Sequence, residues 1–272
     1  MFGKKIRWNR FVNPESGMGL LVPIDHGLTM GPLEGLQNFT EIGRWIRHRA
    51  ITGLIAHKGM VTRIGGRKLL PRGGVMIHLN GMTSLASSPD RKILFTSVEA
   101  AMRLGADAVS IQINFDGRND EHNLMLLGSV ADQAQAFGVP VLTMLYDKVG
   151  QPSAAARLRR LRHLIRAAVE LGTDALKLAA PADHSEIPVL LDGIKDHTPV
   201  FFAGGALCSE DEMLTLAKSV VANGAAGLCV GRNVFQRPDA RDVLDRIGGV
   251  LHQWPERYYQ AVATPAVLPA QV

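Results

Sequence analysis

Apolar and β-branched runs alternate along the chain with stretches in which apolar residues recur at helical spacing. The short runs cover residues 20–24, 53–57, 75–79, 108–114, 139–146, 175–179, 200–203 and 227–230. The helical patterns between and after them cover 39–48, 97–104, 124–137, 154–171, 185–195, 210–222 and 240–253. Strand–helix alternation predicts a parallel sheet with helices outside it. Eight such units in about 250 residues predict an α/β fold, a single (β/α)8 TIM barrel. It is expected to occupy residues 1–272, with a lead-in over about 1–18 and a tail over about 255–272. A doubly wound open sheet is the alternative fold.

Local texture repeats at the junctions. LGADAVSI (104–111), LGTDALKL (171–178) and NGAAGLCV (223–230) share one design: a helix ends, a glycine caps it, and small residues lead into a strand. FGVPVLTM (137–144) and HTPVFFAG (197–204) place proline at the start of a strand, where a missing N–H costs little. No linker or shift in composition divides the chain. The closing ATPAVLPAQV reads as a loose tail or as a strap against a neighbouring subunit.

Strand parity then sorts side chains. In 108–114, Val109, Ile111 and Ile113 share one face and Ser110, Gln112 and Asn114 the other. The apolar set should meet the helices, so the polar set points into the barrel. By the same rule His78 and Asn80 point inward, opposite Val75, Ile77 and Leu79, while Leu142, Met144 and Tyr146 share one face. A polar interior near strand ends suggests a site, because ordinary barrel interiors are branched and apolar.

Composition narrows the class. Forty-six percent of the 272 residues are hydrophobic and 20% are charged, enough apolar material for a large core. No run of 18 apolar residues predicts a membrane span, and MFGKKIRWNRF lacks the apolar stretch of a signal peptide, so a cytoplasmic location is expected. Cys208 and Cys229 are too few for a disulfide framework or thiolate metal site and are expected to be buried free thiols. Thirty Lys+Arg against 25 Asp+Glu give a net charge of +5, a weak preference for anionic partners. The densest basic run, Arg157, Arg159, Arg160, Arg162, His163 and Arg166, reads as the solvated face of a helix, with Leu158, Leu161, Leu164 and Ile165 at helical spacing beside it. No aromatic residues interleave with these charges, so no nucleic-acid partner is expected.

The functional face of such a barrel lies where its strands end. There the sequence places Asp25-His26-Gly27, His57-Lys58-Gly59, His78-Leu79-Asn80, Asn114, Tyr146-Asp147, Gly204-Gly205 and Gly231-Arg232-Asn233, with Lys177 inside the sixth run. Lysine is rarely buried. Desolvation in a barrel wall should lower the Lys177 pKa and free an amine nucleophile. Ala175 and Ala179 on the same face should leave room for a carbon skeleton. Tyr146 on the neighbouring strand offers a proton-transfer group. Asp25 can orient Lys177 or relay protons, or simply cap the loop that follows it. The glycine pairs, with exposed N–H groups and the charge of Arg232, suit a phosphate. His26, His57 and His78 with Asp25 raise a metal site, but no HxH or HExxH spacing supports it; no metal is expected, and His26 is read as a substrate-binding residue.

VPIDHG (22–27) with GPLEGL (31–36), AHKGMV (56–61), LGADAVSIQIN (104–114), VLTMLY (141–146), Lys177, AGG (203–205) and GAAGLCVGRNVFQ (224–236) resemble the Schiff-base aldolases of the archaeal-type fructose-1,6-bisphosphate aldolase family. That family includes the 2-amino-3,7-dideoxy-heptulosonate synthases and the aminodihydroxyoxo-phosphooxyheptanoate synthases, and the resemblance runs from about residue 10 to 250. It implies a barrel assembled as a homo-oligomer, often a decamer of two rings, and acting on a phosphorylated small molecule. It implies Lys177 as the imine-forming residue, Tyr146 as general acid/base and Asp25 as proton-transfer aid. Gly204, Gly205, Gly231 and Arg232 would hold the substrate phosphate, and neither metal nor cofactor would be needed.

The chain departs from that pattern at several positions. Met144 stands where the fructose-bisphosphate aldolases tend to carry Trp, and the heptulosonate synthases also tend to have Met there. Asp147-Lys148 replaces a common Pro-Arg, Ala206-Leu207 follows the double glycine where a basic residue is common, and Leu178-Ala179-Ala180-Pro181 is small and apolar. These features favour a biosynthetic aldolase joining a ketose phosphate such as dihydroxyacetone phosphate to an aldehyde, aspartate semialdehyde being one plausible acceptor. A glycolytic fructose-1,6-bisphosphate aldolase, a metal-dependent aldolase using the three histidines, an acyl-transferring relative and a non-catalytic phosphosugar-binding barrel are the alternatives.

Overall fold

In the computed structural model, which describes residues 2–65, 70 and 73–254, eight strands form one ring. They are β1 (Gly19–Pro23), β2 (Gly53–Ala56), β3 (Gly74–His78), β4 (Ala108–Phe115), β5 (Val141–Asp147), β6 (Ala175–Ala179), β7 (Val200–Ala203) and β8 (Gly227–Cys229). Each is parallel to its sequence neighbours, and Leu21 of β1 pairs with both Gly53 of β2 and Cys229 of β8, so the sheet is closed. This is a (β/α)8 barrel, and the open-sheet alternative is excluded. Every strand lies within two residues of its predicted span. The expected tail, 255–272, lies outside the described residues.

Helices cover the outside, the longest being Asp120–Phe137, Ala154–Glu170, Glu210–Ala222 and Ala240–His252. Ser209 and Glu212 start one of them with a reciprocal capping box, which satisfies N–H groups that have no partner within the helix. The Ala154–Glu170 helix carries the basic run, and four of its arginines are paired: Arg157 with Glu186, Arg160 with Asp147, Arg162 with Asp192 and Arg166 with Glu170. The main core lies between strands and helices and contains Val109, Ile111 and Ile113, as parity requires. Among the described residues no helix is long and apolar enough to cross a membrane.

The barrel floor holds what periodicity did not reveal. A helix at Phe2–Trp8 lies there, leading to Phe11, whose fully buried ring plugs the interior beside Leu21, Ile55, Met76 and Phe201. A Cβ on Gly53 or Gly74 would stand 2.6 or 2.5 Å from that ring, so β2 and β3 begin with glycine because the phenyl group occupies the space. The repeated GADAV and GTDAL motifs also acquire a cause. Asp107 accepts from Val75 N at 3.0 Å and pairs with Arg10; Asp174 accepts from Val141 N at 2.8 Å and pairs with Lys4. Each aspartate locks the start of the preceding strand and pins the N-terminal segment beneath the barrel.

Candidate active site

Two adjoining spaces open at the C-terminal ends of the strands. One, about 130 Å³, is bounded by Asp25, His57, His78, Asn80 and Gln112. The other, about 320 Å³, is bounded by Ala179, Gly204, Gly205, Cys229, Gly231 and Arg232. His26, Tyr146 and Lys177 border both. All eight residues singled out in the sequence as site candidates therefore line one continuous mouth. Ala179 borders the cavity as expected, but Ala175 is fully buried in the inner core and leaves no room for substrate.

β6 carries Lys177 inward, with only 6% of the residue exposed. Ladder register places it opposite Met144, and Nζ lies 3.8 Å from the Met144 sulfur. The Tyr146 hydroxyl and the Cys229 thiol are its other polar neighbours. No carboxylate among the described residues forms an ion pair with it, and Asp25 acts on it only from a distance. The expected lowering of its pKa is not found. Burial disfavours the ammonium, but Cys229, Tyr146 and Asp25 outweigh burial and raise the pKa above the ordinary lysine value. Burial also pushes the Cys229 thiol up to about 11. Desolvation is only one influence on the amine; groups from other parts of the barrel wall set the direction. The resting amine is thus protonated near neutral pH and must give up a proton before it attacks a carbonyl.

Asp25 closes β1 and begins the short helix His26–Met30, but its side chain makes no capping hydrogen bond, so the capping role does not hold. Its carboxylate faces inward, 3.5 Å from His26 Nδ1 and 3.8 Å from His78 Nε2. Burial works against its ionisation, but His78, His26, Lys177 and His57 outweigh it and hold its pKa below the usual carboxylate range. Burial pushes His78 down to about 3, and also lowers His26 and His57. Near neutral pH the arrangement is one buried anion edged by neutral imidazoles, facing one buried cation. Among the described residues no three His, Cys, Asp or Glu side chains are placed to hold a metal ion.

The β7 and β8 loops are shaped by contact. Gly205 has φ +72°, a left-handed conformation that favours glycine. A Cβ on Gly231 would lie 2.7 Å from the His26 ring and 3.0 Å from the Pro23 carbonyl oxygen. Asn233, fully buried, joins the two loops: its Nδ2 donates to Gly204 O at 3.0 Å and Ala206 O at 2.7 Å, and its Oδ1 accepts from Cys208 N at 3.0 Å. Asn233 lies in GRNVFQ with no role expected from the sequence; an asparagine two residues past Gly231 at the end of a strand is the available signal. Arg232 Nε is buried without a partner among the described residues, beside the larger space. Cys229 is buried as expected, whereas Cys208 is only partly buried.

The inward polar face of β4 is also as parity predicted. His78 Nδ1 and Ser110 Oγ are 2.8 Å apart; Asn80 and Gln112 exchange two bonds of 2.8 Å; Gln112 donates to Asn114 at 2.9 Å. Asn80 and its neighbour Gly81 pair antiparallel with Ile93–Leu94, a ribbon that forms part of the mouth. The periodicity analysis did not foresee this ribbon, whose strands are two residues long.

An amine, a phenol and a carboxylate around a cavity beside a glycine-lined recess are the groups needed to bond a lysine to a carbonyl carbon and move protons there. Comparison with known proteins agrees with that chemistry. The family model described as DeoC/LacD family aldolase matches residues 20–237. The chain belongs to this family. It is an aldolase, and its most similar relatives include 2-amino-3,7-dideoxy-D-threo-hept-6-ulosonate synthase 1 of Archaeoglobus fulgidus, 34% identical over 252 residues, covering 93% of this chain and 90% of the relative. The 2-amino-4,5-dihydroxy-6-oxo-7-(phosphonooxy)heptanoate synthase of Streptomyces griseus is 30% identical over 258 residues, covering 92% and 91%. Among solved structures, an archaeal fructose 1,6-bisphosphate aldolase superposes with a TM-score of 0.80 at 24% identity over 92% of this chain and 99% of that one, a likeness of fold. Another, with its catalytic Lys covalently bound to the carbinolamine intermediate of the substrate, gives 0.76 at 25% identity over 91% and 97%.

Proposed function

We propose that this aldolase works through a Schiff base on Lys177, joining a ketose phosphate such as dihydroxyacetone phosphate to an aldehyde in a biosynthetic pathway. The observation that carries this reading is the buried Lys177 amine, which forms no ion pair with a carboxylate among the described residues and lies beside Tyr146. The donor's phosphate would lie in the recess of Gly204, Gly205 and Gly231 near Arg232, and its ketone would face Lys177. The Tyr146 hydroxyl relays the ammonium proton to the Asp25 carboxylate, and the amine adds to the ketone carbon. Tyr146 then returns a proton to the carbinolamine oxygen, which leaves as water. The cationic imine accepts electrons when the adjacent carbon loses a proton, and the resulting enamine attacks the aldehyde carbon. Hydrolysis of the product imine frees the lysine. No metal ion is required by this scheme.

The names of two relatives, a heptulosonate synthase and a phosphooxyheptanoate synthase, support a biosynthetic over a glycolytic role, as does Met144 beside the amine. Aspartate semialdehyde is the favoured acceptor. The test is to incubate the protein with dihydroxyacetone phosphate and either aspartate semialdehyde or glyceraldehyde 3-phosphate, and measure product mass and kcat/KM. A seven-carbon amino-acid product formed at the higher kcat/KM supports the reading. Fructose 1,6-bisphosphate as the favoured product would return the chain to the glycolytic alternative.

A further inference from the structure

A cavity of about 550 Å³ lies on the flank of the barrel and shares no lining residue with the two spaces around Lys177. Small-molecule sites commonly measure about 300–1,000 Å³. One wall comes from the segment after β1 and carries Glu34, Glu41 and Trp45. The other comes from the segment after β8 and carries Phe235, Arg237 and Arg241. Arg241 donates to the Arg44 carbonyl oxygen at 3.1 Å, which ties the two walls together.

The charged groups of this cavity are incompletely matched. Arg237 Nε is buried without a hydrogen-bond partner among the described residues, and Asp239 stands 3.9 Å from Nη1, beyond hydrogen-bond reach. The helix Ala240–His252 begins on the same wall, and its N-cap residue Asp239 makes no side-chain capping bond. An unused guanidinium donor beside an uncapped helix start suits a carboxylate. On the other wall the carboxylates of Glu34 and Glu41 have no partner among the described residues, which suits an ammonium. Trp45 and Phe235 offer apolar surface to a side chain. A ligand that carries both charges meets the opposite sign on each wall.

Hydrogen bonds join this cavity to the glycine recess. Arg237 donates to Cys208 O on the β7 loop. Cys208 N donates to Asn233 Oδ1 at 3.0 Å, and Asn233 Nδ2 holds Gly204 O and Ala206 O. Phe235 makes a second link, since its ring meets the His26 ring edge-on with centroids 5.3 Å apart. A ligand carboxylate that captures Arg237 competes with Cys208 O and loosens the loop that shapes the recess.

We propose that this flank cavity binds a free α-amino acid with an apolar side chain, its carboxylate at Arg237 and the helix start and its ammonium at Glu34 and Glu41, and that occupancy weakens binding of the phosphorylated donor. The binding is independent of the aldolase reading given above; the effect on the donor rests on it.

The experiment uses the full chain. Apolar and aromatic L-amino acids are titrated one at a time by calorimetry, up to about 10 mM, tenfold above a Kd of about 1 mM. At least one should bind. Its amine analogue lacking the carboxylate and its acid analogue lacking the amino group should each bind about tenfold more weakly or worse. The bound amino acid should raise the Kd for dihydroxyacetone phosphate about fivefold, and by linkage the donor should weaken the amino acid to the same degree. Glu41→Gln and Arg237→Gln should each weaken the amino acid about tenfold. Glu41 makes no bond to the β7 loop, so its variant keeps the test decisive if Arg237→Gln fails to fold. No binding by any of these amino acids, equal binding by either analogue, binding untouched by the variants, or binding without a change in donor affinity would overturn the proposal. Failure of the unmodified protein to trap dihydroxyacetone phosphate would overturn the aldolase reading, and with it the effect on the donor, while calorimetry still decides the binding itself.

Discussion

Lys177 Nζ and Met144 Sδ lie 3.8 Å apart across the β5–β6 ladder, so the nearest fixed group on that side of the amine is a thioether with no charge. This keeps the nitrogen available. Met144→Leu conserves volume and should cost less than about 1.5 kcal/mol of stability, with imine formation retained within about threefold. Met144→Glu would set a carboxylate against the ammonium and should reduce imine formation by about a hundredfold or more, as expected for a close buried ion pair. Single-turnover trapping of both variants is the measurement.

The raised pKa of Lys177 fixes the sign of a pH effect. A raised amine pKa means protonation over a wider range, so the nucleophilic fraction, and the rate of imine formation, should climb from neutral toward alkaline pH. Asp25→Asn removes a carboxylate that favours the ammonium, so the profile should move to lower pH even as turnover falls through loss of a proton relay. Stopped-flow or quenched trapping across pH checks both; an unmoved profile in the variant would show that Asp25 does not set the state of the amine.

Asn233 supports the glycine recess through three hydrogen bonds. Asn233→Ala leaves the carbonyls of Gly204 and Ala206 without that donor and should cost about 1–3 kcal/mol. The loss should appear as a raised KM for phosphorylated donor, about tenfold, with a smaller change in kcat. Gly231→Ala drives a methyl group into His26 and should raise the same KM; its test is steady-state kinetics against donor with and without the phosphate.

At the barrel floor, Phe11→Ala should destabilise the fold by about 3–5 kcal/mol, the usual range for a buried aromatic removed from a core. Urea unfolding should show a lower midpoint with an unchanged slope, and residual folded protein should still form the imine, since Phe11 lies at the opposite end of the barrel.

The barrel and the inner face of its polar strands were readable in advance because both follow from period-two alternation: Ser110, Gln112 and Asn114 had to oppose Val109, Ile111 and Ile113. The site residues followed from the same rule, since strand ends converge on one face of a barrel. What escaped has physical reasons. The Phe2–Trp8 helix leaves Phe2 and Ile6 exposed, so it carries no clear apolar stripe. The ribbon at Asn80–Gly81 and Ile93–Leu94 is too short to show alternation. The direction of the Lys177 pKa depends on side chains from β1, β5 and β8, which no local window on β6 contains. Asp107 and Asp174 stood in plain repeats, yet their partners Arg10 and Lys4 lie far away in the chain.

The central claim is a covalent bond between Lys177 and a ketone, and borohydride reduction in the presence of dihydroxyacetone phosphate tests it most directly. Peptide mass spectrometry should find the reduced adduct on Lys177 in the unmodified protein and none in Lys177→Ala. An adduct on another lysine, or no adduct while aldol activity persists, would contradict the account.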